Sequence, residues 1–155
     1  MHGLASAPND RMVLFGSENG SIHLWDHVAR SQVGKELRTS GGIRSLAFSP
    51  DGTQILVACP DKTVRIWDIK SGKLLRAIKG HTGPVTSAVY TPDGRRVLSG
   101  SEDKTVRLWD ARTMREIVRF DWHTDKVWSV AVSADGRRAV SGSSDRTVRV
   151  WGLPK

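Results

Sequence analysis

Cysteine is almost missing from this chain. Cys59 is the single thiol among 155 residues, so neither an internal disulfide nor a multi-cysteine metal site can form. Long apolar runs are missing too. The best is Ile55–Cys59, far below the roughly 18 consecutive apolar residues that a membrane span needs. The opening MHGLASAPND lacks the basic start and apolar stretch of a secretory signal. Tyrosine and phenylalanine are scarce, at one and three residues, so the aromatic weight falls on six tryptophans. Acidic side chains are outnumbered, 16 against 24 basic ones, which leaves a net charge of +8. No window carries a helical period. With 38 % hydrophobic and 26 % charged residues the composition is that of a folded chain. Together these features lead us to expect a soluble cytoplasmic protein without a membrane partner.

What the chain does have is a repeat. Trp25, Trp67, Trp109 and Trp151 stand 42 residues apart each time, closing the phrases GSIHLW, KTVRIW, KTVRLW and RTVRVW. Pro50-Asp51-Gly52 recurs as Pro92-Asp93-Gly94 and then as Ala134-Asp135-Gly136. A fixed period of this length marks a stacked architecture and has to be recognised before any local motif is read.

Each period reads as β throughout. In the third copy the sequence predicts strands over Val85–Tyr90, Val97–Ser101, Thr105–Trp109 and Glu116–Phe120, separated by short turns. The runs are brief, rich in Val, Ile, Leu and Thr, and bounded by Gly, Pro, Asp and Ser. Val106 and Leu108 alternate with Thr105 and Trp109, so both faces carry large groups. Such a sheet needs a neighbour on each side.

These residues resemble the WD-repeat (WD40) β-propellers from about Leu4 to Trp151. The carrying elements are Trp25-Asp26, Trp67-Asp68 and Trp109-Asp110, the Gly80-His81 pair, and the turns opened by Asp61, Asp103 and Asp145. The resemblance implies an all-β arc of four blades around a central channel. The expected spans are about 1–38, 39–80, 81–122 and 123–155. It further implies a buried chain of hydrogen bonds from a His through a Ser and an Asp to the Trp. In the third blade these are His81, Ser99, Asp103 and Trp109; in the fourth, His123, Ser141, Asp145 and Trp151. Trp donates only, Ser does both, and a neutral His can link Ser to a carboxylate. The second blade departs from this, with Thr39 and Val57 in the His and Ser positions, which leaves Asp61 and Trp67 alone. The first has Phe15 for Ser and Asn19 for Asp.

Ser99, His81 and Asp103 are also the residue types of a catalytic triad. The same set recurs at the same spacing with a tryptophan attached, and no nucleophile elbow accompanies it. His23 and His27 lack a third metal ligand. Lys70-Ser71-Gly72-Lys73 reads as a hairpin turn rather than a phosphate loop. Asn19-Gly20-Ser21 reads as a turn too. We expect no enzyme, no metal and no cofactor.

Binding remains. The resemblance implies that exposed residues near the rim bearing the His and Asp contact partners, which in this chain points to Arg44, Thr86, Glu102, Lys126 and Trp128. Trp128 stands where other repeats hold Arg44 and Thr86, so the fold does not demand an aromatic there; beside Lys126 it is the type of residue that anchors interfaces. Trp122, in the position of Gly80, is a second candidate. The leading expectation is a non-catalytic protein–protein scaffold. The alternative is a nucleic-acid-binding surface built on Arg95-Arg96 and Arg137-Arg138, disfavoured because no recognisable nucleic-acid motif accompanies the charge. Closed rings of this family need more blades than four, commonly about seven. The last blade, moreover, lacks sequence for its outer strand. The chain is therefore expected to be the C-terminal part of a larger propeller or the subunit of an assembled ring, with open blade faces that invite self-association.

Overall fold

The computed structural model describes residues 3–17 and 19–154. Residues 1, 2, 18 and 155, which the expected blade spans include, lie outside the described residues. Four antiparallel sheets follow one another along the chain. The first holds β1 (Gly3–Ser6), β2 (Met12–Gly16), β3 (Ser21–Asp26), β4 (Ser31–Gln32) and β5 (Leu37–Arg38). The second runs through β6 (Ser45–Phe48), β7 (Gln54–Ala58), β8 (Thr63–Asp68) and β9 (Leu74–Lys79). The third comprises β10 (Val85–Tyr90), β11 (Arg96–Ser101), β12 (Val106–Asp110) and β13 (Glu116–Phe120). The last has three strands, β14 (Val127–Val132), β15 (Arg138–Ser143) and β16 (Val148–Gly152). Each sheet is a simple meander of neighbouring strands, and the innermost strands β1, β6, β10 and β14 stand side by side in chain order. This is an open arc of propeller blades.

Turn chemistry repeats with the blades. Between the first and second strands, the carboxylates of Asp51, Asp93 and Asp135 each accept the N–H two residues on at 3.0 Å, from Thr53, Arg95 and Arg137. The intervening Gly52, Gly94 and Gly136 hold φ near 70°, which glycine adopts without cost. Between the second and third strands Asp61, Asp103 and Asp145 do the same for Thr63, Thr105 and Thr147.

The first blade departs from the expected four continuous strands. Its outer strand is split into β4 and β5. Ile22 pairs with Leu37 and Trp25 with Gln32, so four residues on the outer side, Val33–Glu36, stand against two on the inner, His23 and Leu24. The excess of two, with Gly34 among them, loops out over Val33–Glu36. In the third blade the same junction slips by only one residue, between Leu108 and Trp109, and β13 stays whole. The break leaves a cavity of about 300 Å³ between the first two blades, walled by Leu14, Ile22, Leu24 and Ile55.

The core lies between sheets rather than within one. Leu56, Val64 and Ile66 of the second blade pack against Val85, Ala88, Val97 and Trp109 of the third. Leu98, Val106 and Leu108 of the third meet Val127, Val130, Ala139 and Trp151 of the fourth in the same register. Glycine permits the closest approach. A Cβ built on Gly100 would lie 2.7 Å from Val127 Cγ1 and 3.0 Å from Val130 Cγ1. Gly100→Ala should therefore overpack the interface between blades three and four by about 1–3 kcal/mol. A lowered urea midpoint at unchanged m-value would show it, and an unchanged midpoint would mean that the blades are not held this tightly.

Candidate functional site

The third and fourth blades carry the same polar chain. His81 Nδ1 bonds Asp103 Oδ2 at 2.8 Å and His81 Nε2 bonds Ser99 Oγ at 2.7 Å, while Trp109 Nε1 donates to Ser99 Oγ at 2.8 Å. In the fourth blade the three bonds are 2.7, 2.8 and 2.8 Å, through His123, Asp145, Ser141 and Trp151. A strand spacing explains the match: Ser99 pairs with Arg107 across β11 and β12, two residues from Trp109 on the same face. Both serines and both histidines are buried. The serine hydroxyls face the tryptophan and the imidazole.

Arg107 binds the third network into its sheet. It is buried and donates to Asp103 at 3.1 Å, to the Gly80 carbonyl at 2.9 Å and to Glu116 of β13 at 3.0 Å. Glu116 was not picked out from the sequence, although the recurrence of Arg65, Arg107 and Arg149 at a 42-residue step was a signal that each needs a partner. Burial pushes the Asp103 carboxyl up, but bonds from His81, Thr105 and the Thr82 N–H outweigh this and hold its pKa well below the usual carboxylate range. Asp145 is held low by its corresponding partners Thr147, His123 and Thr124, again against the upward effect of burial.

The first two blades solve the same positions differently. In the second, Asp61 is not alone, contrary to the sequence expectation: Arg65 pairs with it and also donates to Thr39, which fills the His position. Trp67 does stand without a partner, its buried Nε1 unbonded among the described residues. Asp68 and Asp110 cap the turns that follow their strands, through Ser71 and Thr113. Asp26 does the same through Val28 and Ala29 and also pairs with Arg11 at 2.7 Å. Phe15 stacks on His23 with centroids 5.0 Å apart, and His27 contacts the Asp10 carbonyl. Burial pushes the Cys59 thiol up.

Among the rim residues, the structure brings three together across the last two blades, Glu102, Lys126 and Trp128. Lys126 Nζ pairs with Glu102 at 2.6 Å and lies 5.9 Å from the centre of the Trp128 ring. Trp128 Nε1 donates to Ser144, and the ring remains 50 % exposed. Trp122 sits apart, 69 % exposed and edge-on to Trp151 at 5.8 Å. Arg44 is exposed on its own blade. Thr86 is a correction. It is buried, and its hydroxyl donates to the Gly100 and Val127 carbonyls at 2.9 and 2.6 Å, so it ties blade three to blade four and offers no surface to a partner.

Four matches to the family model described as WD domain, G-beta repeat cover residues 2–26, 32–68, 72–110 and 114–152. The chain belongs to the WD40 repeat family. The second to fourth matches take in the outer strand of one blade and the three inner strands of the next, so the repeat is offset by one strand from the blade. A comparison with curated proteins gives no match.

The unequal blades should respond unequally to substitution. Trp109→Phe should cost about 1–3 kcal/mol, because the buried Ser99 hydroxyl loses the indole N–H donor, whereas Trp67→Phe removes an already unbonded N–H and should cost clearly less in urea melts. The depressed Asp103 pKa contributes stability that is fully present above its unfolded value of about 3.9 and is lost as pH falls through the lower folded value. The wild-type urea midpoint should thus fall below about pH 4 more steeply than that of Asp103→Ala; parallel profiles would show that this carboxylate is not the group responsible.

Proposed function

We propose that this chain is a non-catalytic scaffold that holds a protein partner on the rim of its third and fourth blades. The observation that carries this reading is the Glu102–Lys126–Trp128 assembly. A large half-exposed aromatic ring is fixed at its nitrogen by Ser144 and flanked by a cation whose position Glu102 sets. Preorganised tryptophan of this type contributes most to binding when a partner covers it. WD40 repeats are generally protein-interaction scaffolds, and the Ser–His–Asp sets here are consumed in holding tryptophans. The arc serves as part of a larger ring, as the subunit of an assembly or as one portion of a longer propeller.

A second reading, nucleic-acid binding, draws on exposed Arg95, Arg137 and Arg138 beside the Asp-Gly turns. Arg96, the fourth of that set, is engaged by the Pro154 carbonyl. The exposed Trp122 and Trp128 flank the His-bearing loops instead, so this basic surface has no tryptophan on which bases would stack.

Peptide display panned on the intact chain tests the scaffold reading. Selected peptides should lose about 30-fold or more in affinity on Trp128→Ala, the equivalent of a 2 kcal/mol anchor, with the thermal midpoint nearly unchanged. A large drop in midpoint would show instead that the ring is core. Tight, steeply salt-dependent capture of unrelated oligonucleotides would favour the second reading.

A further inference from the structure

The cavity between blades one and two follows from the break in the outer strand. In blade three Val118 stands opposite Leu108 and packs into the core. Leu24 holds the position of Leu108 two repeats earlier, but no ladder partner faces it, because the chain leaves the sheet over Val33–Glu36. The place that Val118 takes in blade three is open here, as part of a cavity of about 300 Å³. Its floor is made by the buried Leu14, Ile22 and Ile55, and its sides by Leu24, Leu37 and Ile69. None of these side chains has a polar atom. The inner part offers water no side-chain hydrogen bond, and space of this kind takes an apolar group instead.

The opening has the opposite character. Lys35, from the looped-out segment of blade one, and Lys70, from the turn between β8 and β9, line it from the two blades. Both are exposed, and neither forms an ion pair among the described residues. The acids beside them are engaged elsewhere. Glu36 accepts from Ser21 and Arg38 at 2.6 and 2.8 Å, and Asp68 accepts the N–H and the hydroxyl of Ser71 at 2.7 and 2.6 Å. Among the described residues, no acidic side chain lines the cavity.

An apolar pocket with two cations at its mouth fits a molecule with an apolar body and one anionic end. We infer that this cavity binds a medium-chain fatty acid, its tail against Leu14, Leu24 and Ile55 and its carboxylate held by Lys35 and Lys70. The volume lies at the lower end of the range of about 300–1,000 Å³ that small-molecule sites occupy, which suits a medium chain. Burial of the tail supplies the affinity, while the lysines set the sign of the head group and its orientation. The site is formed wholly between blades one and two and is separate from the Trp128 rim.

The test is an NMR titration of the methyl-labelled full chain with decanoate, well below its micellar concentration. The methyl resonances of Leu14, Ile22 and Ile55 should shift saturably, while those of Leu98 and Leu108, between blades three and four, stay in place. The double variant Lys35→Glu/Lys70→Glu should bind decanoate about tenfold more weakly or worse, with the affinity for decanol changed by less than about twofold. The neutral Lys35→Gln/Lys70→Gln variant should fall between it and the wild type. Absence of a saturable shift would overturn the inference. So would shifts spread equally over all blade interfaces, which mark detergent-like binding, or an equal response of decanoate and decanol to the lysine variants, which would mean that the pocket takes neutral apolar groups.

Discussion

Everything in this arc depends on sheets that are apolar on both faces. A blade three to five strands wide has no core of its own. Leu56, Val64 and Ile66 are removed from water only because the next blade stands over them, and Trp109 only because the previous one does. Hydrophobic burial at roughly 25 cal/mol per Å² of apolar surface is therefore available to a blade only through its neighbours. That constraint sets the order of the inner strands and the need for glycine at the tightest approaches. It also accounts for the exposed side chains at the two ends.

Polar networks are laid over this packing unevenly. Blades three and four hold their tryptophans through Ser99 and Ser141, with the imidazole and carboxylate chain behind them. Blade two puts Val57 beneath Trp67 and trades a polar partner for an apolar contact, at the cost of a buried N–H without an acceptor. Blade one replaces the network with a Phe15–His23 stack. Apolar surface alone tolerates many arrangements, whereas a chain of directed bonds accepts few. The second half of the arc is accordingly the more narrowly specified, and it is the half that holds Trp128 in place.

Much of this was legible in the residues. Val85–Tyr90 and Glu116–Phe120 form strands with the bounds read from the sequence, because a period of 42 residues and Asp-Gly turns leave little freedom in where a strand begins. The His–Ser–Asp–Trp sets were legible only through the resemblance to WD repeats, which implies those bonds at those positions; the matching spacing in blades three and four agrees with it. The broken outer strand of blade one was not, because a surplus of two residues is visible only against the pairing of Trp25 and Ile22. Thr86 misled for a related reason. Its repeat position suggested a free rim, and only the placement of Val127 over it shows where its hydroxyl goes. Asp61 was judged by the network it lacked, while Arg65 supplied another partner.

The uniform repeat length also bears on how the chain reaches this structure. The Thr86 hydroxyl bonds the Val127 carbonyl 41 residues on, about one repeat away, and the other blade interfaces join neighbouring repeats in the same manner. Closing a loop of that length costs nearly the same entropy wherever it occurs, since the cost grows only with the logarithm of length. Order can then spread from any docked pair of blades to the next as nearest-neighbour growth. A ribosome delivering the chain from its N-terminus would complete the loosely specified blades first, and the directed networks of blades three and four would lock the stack only as the final repeats emerge.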